Sequence, residues 1–596
     1  MRAVLLVGLL VWTSGATAQQ TLPWAHRLIV TLKAPADPGL ESEEVVRDRM
    51  HRAALGAGVL FTGEKAIGKH QRLLRLTHPI QGAALDATLR RLRLHPEVLA
   101  VEPDVLIKRL AVPNDPDFAT QWYLQTPSVF AAAINTPPAW DRTTGSAATT
   151  VAVLDTGIRP HPDLAGRTAA GHDFVSEVEF GGDGDGRDAD PTDPGDWVTA
   201  TGNNPAVQQL VDLKLCDVGN SSWHGTFIAG QIAAATQNAA GIAGVDWRGR
   251  VLPVRISGKC GAFLSDILDG MRWAAGLPVA GAPANATPAR VINLSFGGDT
   301  ACSPAYQATI DEVTAAGALV VVAAGNESRP LRRPADCRGV LAVGAVQADG
   351  LKTFYSNTGA GLMAPGGNGN GALRLYATDN TGAQGPGAES YGYKQGTSFS
   401  APLAVGVAAL MLAVNPALTP SQIAARLQAG ARPHVFNAFA PTCGETTAAP
   451  CNCTAPICGA GLLDALASVQ LALGPAVRIA AVPPPVAGAT VLLDGRTSAA
   501  VPGAALVAFE WTQLSGATVA IQGSATALAQ VALPVQAGTF VFRLQVTDSE
   551  GRTGADQITL TSTAPPSGGG GGAAGWLWGA GLWALALLAA WRRLRR

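Results

Sequence analysis

The sequence predicts an α/β protein built on a parallel β-sheet with helices on both faces. Four short apolar runs of strand length occupy residues 151–154, 251–256, 291–294 and 319–323. Strands that are apolar throughout are typical of parallel sheets covered on both faces. Helical stretches at 227–235 and 265–275 alternate with these runs, as a layered α/β domain requires. We therefore expect a three-layer domain over residues 113–469.

The chain is 596 residues long and 47% hydrophobic, so several domains with separate cores are expected. Lys and Arg together number 43, against 44 for Asp and Glu. Because phosphate binding needs a clustered basic excess, this balance argues against a nucleic-acid partner.

The N-terminus has the pattern of an export signal. Arg2 precedes the apolar stretch 3–12, and Ala16-Thr17-Ala18 offers small residues where a signal peptidase would cut. A membrane anchor is the alternative, but the stretch is short for crossing a bilayer. We expect residues 1–18 to be removed on export.

Residues 19–112 predict a separate α+β unit. Strand-like runs at 28–32, 73–76, 98–101 and 105–107 alternate with two patterns of helical spacing. The helical positions are Val46, Met50 and Ala53 in the first and Leu85, Leu89 and Leu92 in the second. A stable N-terminal domain would look the same, but the position directly after an export signal favours a propeptide.

Eight cysteines lie between residues 216 and 458 of a chain with an export signal, which favours disulfides over free thiols. Eight cysteines permit 105 pairings, and the sequence does not choose among them. Our working hypothesis pairs Cys216 with Cys260 and Cys302 with Cys337, and leaves the last four to pair among themselves. A metal site at Cys451, Cys453 and Cys458 is the alternative, but paired C-x-x-C motifs are missing.

The C-terminal part has a different texture. Over residues 474–563, Phe542, Leu544 and Val546 alternate with polar residues, and further short runs at 491–493, 509–511 and 557–560 predict a small β-sandwich. A spacer and a binding domain are both consistent with it. Residues 564–572 are a Gly-rich linker. The uncharged stretch 573–591 is long enough to cross a membrane, and the arginines after it would stay on the cytoplasmic side.

Three polar residues of the central domain have the chemistry of nucleophilic catalysis. Asp155 ends the apolar run 151–154, where parallel sheets place their sites. His224 opens a helical stretch, and Ser398 precedes the apolar helix 403–414. A serine hydroxyl is a poor nucleophile unless a neighbouring base removes its proton, and a carboxylate can orient that base. We expect Asp155, His224 and Ser398 to meet.

A developing negative charge would need hydrogen-bond donors beside the serine. The backbone N–H of Ser398 at a helix N-terminus is one candidate, and the side chain of Asn326, which follows the run 319–323, is the other. Because His224 acts as a base only when neutral, activity is expected to rise as its ring loses a proton and to persist at alkaline pH.

These motifs resemble the signature of the subtilisin-like serine endopeptidases, or subtilases. The motifs are Asp155-Thr156-Gly157, His224-Gly225-Thr226, Ala324-Gly325-Asn326 and the segment Gly396-Thr397-Ser398-Phe399-Ser400-Ala401-Pro402. Their order, Asp before His before Ser, is that of this family. The chain departs from the family in Phe399-Ser400, where Met-Ala is commoner, and in a longer interval between Asp155 and His224.

The resemblance implies further site residues. Ser295, Phe296 and Gly297 match the strand that pairs with substrate backbone, and Ala324 and Gly325 lie beside the expected oxyanion site. The N-terminal unit is similar to the family's ferredoxin-like propeptide, an inhibitor of its own enzyme, with an autocatalytic cut expected between Arg109 and Asn114.

A structural calcium site is expected in the insertion between the first two motifs. Carboxylates separated by glycines repel one another unless a hard cation bridges them. The candidate ligands are Asp183, Asp185, Asp188, Asp190 and Asp193. A solvated acidic turn is the alternative. Asp163 additionally resembles a calcium ligand of the family.

The region after residue 474 carries two further resemblances. The β-sandwich is similar to a PKD-type domain, and the tail 573–596 is similar to bacterial Gly-Gly sorting segments that an intramembrane sorting protease removes. The expected location is the bacterial cell surface or the medium, with membrane anchoring before processing.

The sequence therefore predicts an exported, autoprocessed endopeptidase acting on proteins or peptides through an acyl-enzyme. A surface adhesin built on an inactive protease fold is the alternative from another class, and a processing enzyme dedicated to one partner is a closer one. The sequence does not indicate the preferred substrate side chain.

Overall fold

A computed structural model describes residues 25–35, 42–104, 111–369 and 371–564. The predicted signal peptide, the run 105–107, the linker from 565 onward and the C-terminal tail lie outside these residues. The chain divides into two compact units near residue 474, and each is described by itself.

The N-terminal part of the first unit is a four-stranded antiparallel sheet with two helices. Its elements are β1 (Ala25–Leu32), α1 (Glu43–Gly56), β2 (Phe61–Ala66), β3 (Gln71–Ile80), α2 (Gly82–Leu94) and β4 (Val98–Pro103). The strand order β2-β3-β1-β4 and the element order β-α-β-β-α-β give a ferredoxin-like topology. Leu28, Met50 and Leu89 meet in a core of its own. β2 escapes sequence prediction because it has no apolar run.

The central sheet has seven parallel strands. They are β5 (Thr150–Asp155), β6 (His172–Asp173), β7 (Arg250–Arg255), β8 (Val291–Leu294), β9 (Leu319–Ala323), β10 (Val340–Val346) and β11 (Leu362–Pro365). Their order is β11-β10-β9-β8-β5-β7-β6, and every neighbouring pair is parallel. This confirms the predicted fold class, with β5, β7, β8 and β9 at the predicted runs.

Helices cover both faces of this sheet. The α-helices of the described part of this domain are α3 (Thr136–Trp140), α4 (Val178–Gly181), α5 (Pro205–Asp212), α6 (His224–Ala233), α7 (Leu264–Ala274), α8 (Pro304–Ala315), α9 (Ala401–Val414), α10 (Pro420–Ala429), α11 (Ala455–Cys458) and α12 (Ala465–Ala472), of which α4 and α5 pack in a separate small cluster. Ala152 and Leu154 of β5 share a buried cluster with α7 and α8. α9 packs against β5 and β8 to β11 and against α6, which places α6 and α9 on the other face.

The helix α9 is the central core helix. The segment Thr397–Val414 is apolar and long enough to cross a membrane, but 83% of it is buried inside the protein. Pro402 lies in its first turn, where the missing N–H has no intrahelical acceptor to lose. The buried helix therefore fixes the position of the Ser398 segment that precedes it.

All eight cysteines form disulfides. The pairs are Cys216–Cys260, Cys302–Cys337, Cys443–Cys451 and Cys453–Cys458. The first two are the predicted pairs, and the last four pair among themselves as expected. Because the eight cysteines lie within the described residues and none is free, no thiolate remains for the alternative metal site.

A hairpin and the second unit complete the described chain. The hairpin is β12 (Leu375–Asn380) with β13 (Glu389–Lys394), and the second unit contains β14 (Thr490–Asp494), β15 (Leu506–Ser515), β16 (Ile521–Gln522), β17 (Leu528–Ala532), β18 (Gly538–Asp548) and β19 (Thr553–Ser562). The second unit forms two three-stranded antiparallel sheets, β14-β17-β16 and β15-β18-β19. Phe542, Leu544 and Val546 are buried with Trp511 between them, as the alternation predicts.

Candidate active site

The candidate site lies at one edge of the central sheet. Asp155 is the last residue of β5, Ser295 directly follows β8, and Asn326 follows β9 by three residues. The strands β5, β8 and β9 are consecutive neighbours and parallel, so their carboxyl ends meet at the same edge. Open α/β sheets bind their ligands at this edge.

Asp155 and His224 form a buried hydrogen-bonded pair. His224 Nδ1 lies 2.8 Å from Asp155 Oδ1 and 3.0 Å from Oδ2, and the Asp155 side chain is fully buried. The Thr156 N–H also donates to Asp155 Oδ1 at 2.9 Å. The rings of Phe296 and Phe399 pack against the imidazole, with centroids 5.9 and 5.1 Å away. These contacts hold the imidazole ring in one orientation. Nε2 is the ring nitrogen that is not bonded to Asp155.

A buried hydrogen-bond chain supports this pair from behind. The Thr156 hydroxyl donates to Asp193 Oδ2 at 2.6 Å and accepts from the Gly225 N–H at 3.2 Å. Asp193 is buried, and this burial raises its pKa to about 7. This series of hydrogen bonds links Thr156, which follows Asp155, to Gly225, which follows His224. It therefore fixes the distance between the two motifs.

Two glycines of the motifs are required by close backbone approach. Gly157 has φ +101°, and a Cβ there would lie 2.6 Å from the carbonyl oxygen of Pro191. A Cβ on Gly225 would lie 2.2 Å from the carbonyl oxygen of Gly157. The Asp-Thr-Gly and His-Gly-Thr strings therefore need glycine because the segments behind Asp155 and His224 touch.

Ser398 lies in a short 3-10 helix, Thr397–Phe399, just before α9. Its neighbour Phe399 contacts the His224 ring, and Ser398 and His224 line two cavities that share Ser295 and Phe296. Within the described residues its Oγ makes a long hydrogen bond of 3.5 Å to the Ser295 carbonyl oxygen, and Ser295 Oγ donates to the Ser398 carbonyl at 2.9 Å. Such bonds in ligand-free sites commonly rearrange when substrate binds.

The Asn326 amide is oriented by the serine segment. Its Oδ1 accepts from the Thr397 N–H at 2.9 Å and from the Thr397 hydroxyl at 3.0 Å. The Thr397 hydroxyl in turn accepts from the Gly325 N–H at 3.1 Å. Because the oxygen is engaged twice, the Nδ2 donor of Asn326 is left for the cavity that Asn326 and Ser398 both line.

Two cavities flank Phe296. The first, called here the Ser398 pocket, is lined by 295–299 and 323–327 with Thr397 and Ser398, and Arg329, Arg332, Arg333 and Asn357 complete its wall. All five residues predicted to bind substrate, Ser295, Phe296, Gly297, Ala324 and Gly325, line it. The second contains His224, Ser257, Leu215 and the Cys216–Cys260 disulfide. A peptide along 295–297 would contact both cavities.

The acidic insertion carries charges that the protein only partly neutralises. The buried Arg255 guanidinium donates hydrogen bonds to both the Asp173 and the Asp183 carboxylates. Partial desolvation, followed by the nearby carboxylates of Asp183 and Asp188, raises the pKa of Asp185. These like charges repel one another, and carboxylate oxygens are the ligands that a hard cation prefers.

The other predicted calcium ligands have different surroundings. The Asp188 and Asp190 carboxylates each accept a backbone N–H two residues ahead, from Asp190 and Thr192. Asp193 is engaged by Thr156 and by the Gly195 N–H at 2.8 Å. These bonds hold the turn of the loop but leave further carboxylate oxygens of Asp188 and Asp190 for a cation.

Asp163 belongs to a separate cluster. Its carboxylate accepts from Asn238 Nδ2 at 2.8 Å, from the Ile242 N–H at 2.9 Å and from the Tyr391 hydroxyl at 3.2 Å. Burial raises the pKa of Asp163 despite these three donors. The donors occupy positions around the carboxylate, so this aspartate fits a cation less well than the insertion does.

Comparisons with known proteins agree with this geometry. The sequence profile of the Subtilase family matches residues 146–445, and that of a K319L-like PKD domain matches residues 482–561. An extracellular protease of Xanthomonas campestris pv. campestris is 36% identical over 474 residues, which cover 78% of this chain and 75% of that protein. An extracellular basic protease of Dichelobacter nodosus is 39% identical over 62% of this chain and 58% of its own length. A solved protease structure from Pseudoalteromonas arctica shares 41% identity with a TM-score of 0.54, over 61% of this chain and all of that one.

The chain therefore belongs to the subtilase family and is a subtilisin-like serine protease, with a PKD domain after the protease fold. As a serine endopeptidase it acts on proteins or peptides. The relatives are named extracellular proteases, which supports export of this chain.

Proposed function

We propose that this protein cleaves peptide bonds through Asp155, His224 and Ser398 and an acyl-enzyme intermediate. The observations that carry the proposal are the buried Asp155–His224 pair and the position of Ser398, which precedes α9 and lines one cavity with Asn326. Each of these groups has a distinct chemical task in acyl transfer.

Ser398 Oγ attacks the scissile carbonyl carbon while His224 Nε2 takes the hydroxyl proton. The resulting imidazolium is stabilised by Asp155 through Nδ1, where the hydrogen bond already exists. The carbonyl oxygen becomes an oxyanion that accepts from Asn326 Nδ2 and from the Ser398 N–H. His224 then gives its proton to the leaving amine, and the acyl group remains on Ser398. A water, deprotonated by His224, hydrolyses this ester and restores the hydroxyl.

The substrate backbone is proposed to pair with the segment Ser295–Gly297, next to Ala324 and Gly325. Main-chain pairing binds many sequences, because every residue offers the same N–H and C=O. Side-chain selection then falls to the two cavities that flank Phe296.

The enzyme is proposed to be made as a zymogen with residues 19–112 as an inhibitory propeptide. From residue 111 onward the chain is bonded to the protease fold: the Ala111 N–H donates to Asp141, and the Val112 carbonyl accepts from Gln237. Asn114 Oδ1 accepts from the Ala239 N–H at 3.0 Å. Any cut between Arg109 and Asn114 would leave the Asn114 contact with the mature enzyme, and a cut before Ala111 would leave all three.

Calcium is proposed to stabilise the acidic insertion, held mainly by Asp185, Asp188 and Asp190, because the fourth candidate, Asp183, is already ion-paired with Arg255. The ion would supply the positive charge that the loop lacks and would stabilise the folded state by mass action. Asp163 and Asp193, also candidates from sequence, are bonded within the protein instead and are weaker ligands.

The C-terminal tail is proposed to be a temporary membrane anchor. The stretch 573–591 would hold the chain in the membrane until a sorting protease cuts near the Gly-rich run 568–572, where helix propensity is low. The enzyme would then finish at the bacterial cell surface or in the medium.

A fluorophosphonate probe tests the central proposal. The wild-type protein should be labelled on Ser398, and Ser398→Ala should be neither labelled nor processed at its N-terminus. Ser421→Ala, which alters an exposed serine at the start of α10, serves as the matched control and should behave as wild type. Labelling of a folded Ser398→Ala variant would refute the assignment, and mass spectrometry of the secreted product would locate both termini.

A further inference from the structure

The Ser398 pocket has an unusual charge balance. We infer that it selects substrates with an acidic side chain, Glu or Asp, in the residue whose carbonyl is attacked, and that Arg333 is the residue that selects them. This inference rests on the proposed function, because it assigns a substrate class to the same site.

The side chain nearest the attacked carbonyl has to enter this pocket. Ser398 and Asn326 both line it, so a carbonyl carbon beside Ser398 Oγ with its oxygen toward Asn326 lies at the pocket mouth. The Cα of that residue is one bond from the carbonyl carbon. Its side chain therefore extends between the two walls 295–299 and 323–327.

Five charged side chains line the pocket, two of them acidic. Arg329 pairs with both carboxylates, directly with Asp299 and with Glu327 at 3.8 Å. Asn357 Nδ2 donates to Glu327 at 2.9 Å as well. The two carboxylates are thus already engaged by groups of the protein.

Arg332 and Arg333 have no such partner. Across the described parts of the chain, neither guanidinium lies within ion-pair distance of a carboxylate, whereas Arg329 has two. Three guanidiniums against two carboxylates leave the pocket with a net positive charge. An entering carboxylate would find a counter-charge there, and an entering Lys or Arg would meet repulsion.

Arg333 is held in place by its backbone. Its N–H donates to the Thr300 carbonyl at 3.0 Å, and its carbonyl accepts from the Gly298 N–H at 2.9 Å. The Cys302–Cys337 disulfide joins the same two segments. A Cβ on Gly298 would lie 3.0 Å from Arg333 Nε, so the guanidinium lies along the glycine wall. Arg332 is exposed, whereas Arg333 is half-buried and therefore less screened by solvent.

The test compares two peptides that differ only in the residue before the cleaved bond, Glu in one and the isosteric Gln in the other. With the mature enzyme, obtained by self-processing of the full chain, kcat/KM should be about tenfold higher for the Glu peptide at low salt. The ratio should fall as ionic strength rises, since the pocket is open to solvent.

The Arg333→Met variant should bring the Glu to Gln ratio close to one, mainly because kcat/KM for the Glu peptide falls. Arg338→Met, which removes an exposed arginine outside the pocket, is the matched control and should keep the wild-type ratio. If Arg333→Met does not fold, Arg332→Gln should still lower the ratio.

Three outcomes would overturn the inference. A wild-type ratio of one or below, in an enzyme that cleaves the Gln peptide, would show that the pocket does not select acids. An unchanged ratio in folded Arg333→Met and Arg332→Gln would show that these arginines are not the selectors. Absence of cleavage of every peptide together with absence of fluorophosphonate labelling would instead remove the proposed function, and the inference with it.

Discussion

Asp155 and Asp185 are carboxylates of the same domain in opposite electrostatic situations. Asp155 is fully buried and bonded to the His224 ring and the Thr156 N–H, so the protein supplies all its partners. Asp185 is exposed beside Asp183 and Asp188, whose charges add to desolvation in raising its pKa. In the first region the counter-groups are built in. In the second, Arg255 only partly offsets the repulsion, and calcium is proposed to supply the remaining positive charge.

The largest expected effect concerns the candidate active site, where the protein itself supplies the partners of Asp155. Ser398→Ala should lower kcat/KM by about 10⁶-fold, the size known for triad residues in a subtilisin, while the Asp155–His224 pair and the fold remain. Single-turnover cleavage of a fluorogenic peptide measures this loss, and circular dichroism checks the fold. A loss of less than about a hundredfold would mean that another group attacks the substrate.

Asn326 separates transition-state stabilisation from binding. Asn326→Ala should lower kcat by about 10² to 10³-fold and leave KM nearly unchanged, because the amide donates only once the oxyanion forms. That magnitude also comes from a subtilisin. Steady-state kinetics decides it: a rise in KM with kcat unchanged would make Asn326 a binding residue.

Lys352 extends the comparison to a buried cation that has no carboxylate partner among the described residues. It is fully buried, its ammonium donates to the Thr353 and Ser356 carbonyls, and burial lowers its pKa to about 8. The folded pKa is below the unfolded value, so the unfolded state binds more protons between pH 8 and 10.5. The free energy of unfolding should therefore rise across this window, by up to about 3 kcal/mol.

Urea unfolding of the inactive Ser398→Ala protein from pH 7 to 10.5 measures this rise without self-digestion. Lys352→Met in the same background should show a flatter profile over that window. Parallel profiles for the two proteins would contradict the assignment of the rise to Lys352.

The smallest effect concerns the acidic insertion. Chelation of calcium should lower the melting temperature of the Ser398→Ala protein by roughly 5 °C. Asp185→Asn should melt higher than its parent in chelator, since one repelling charge is gone, but gain less from added calcium. Differential scanning calorimetry with and without calcium measures both shifts.

Asp311→Asn, which removes an exposed carboxylate on α8, is the control for charge alone and should keep the full calcium response. Equal melting temperatures of the parent with calcium and with chelator would remove the calcium site.

Sequence patterns predicted four strands and one helix that are apolar on every face, but not β10 and β11, which are equally buried. The strands β5, β7, β8 and β9 and the helix α9 are buried all round, so their residues carry the signal by themselves. The strand β2 and the β12–β13 hairpin were missed because they are mixed in polarity and form through pairing with neighbours. Local composition does not contain that pairing.

The same division holds within the site. The motifs around Asp155, His224 and Ser398 could be found because their residue types and their glycines are set by chemistry and close contact. The link from Asp193 through Thr156 to Gly225 could not, because it joins three segments far apart in the chain. The aspartate-rich segment of the sequence did not reveal that Asp193 contacts a threonine, whereas Asp185 lies beside other carboxylates.

By itself the sequence determined the fold class, the order of the reactive groups and which cysteines were available to pair. The tertiary structure alone decided which carboxylates have donors, how the last four cysteines pair, and that among the described residues Arg333 lies along Gly298 without an acidic partner. The physical reason is the separation along the chain over which each kind of interaction acts. Backbone preference and burial act over neighbouring residues, whereas electrostatic pairing depends on distances of a few ångströms between segments that the chain brings together only by folding.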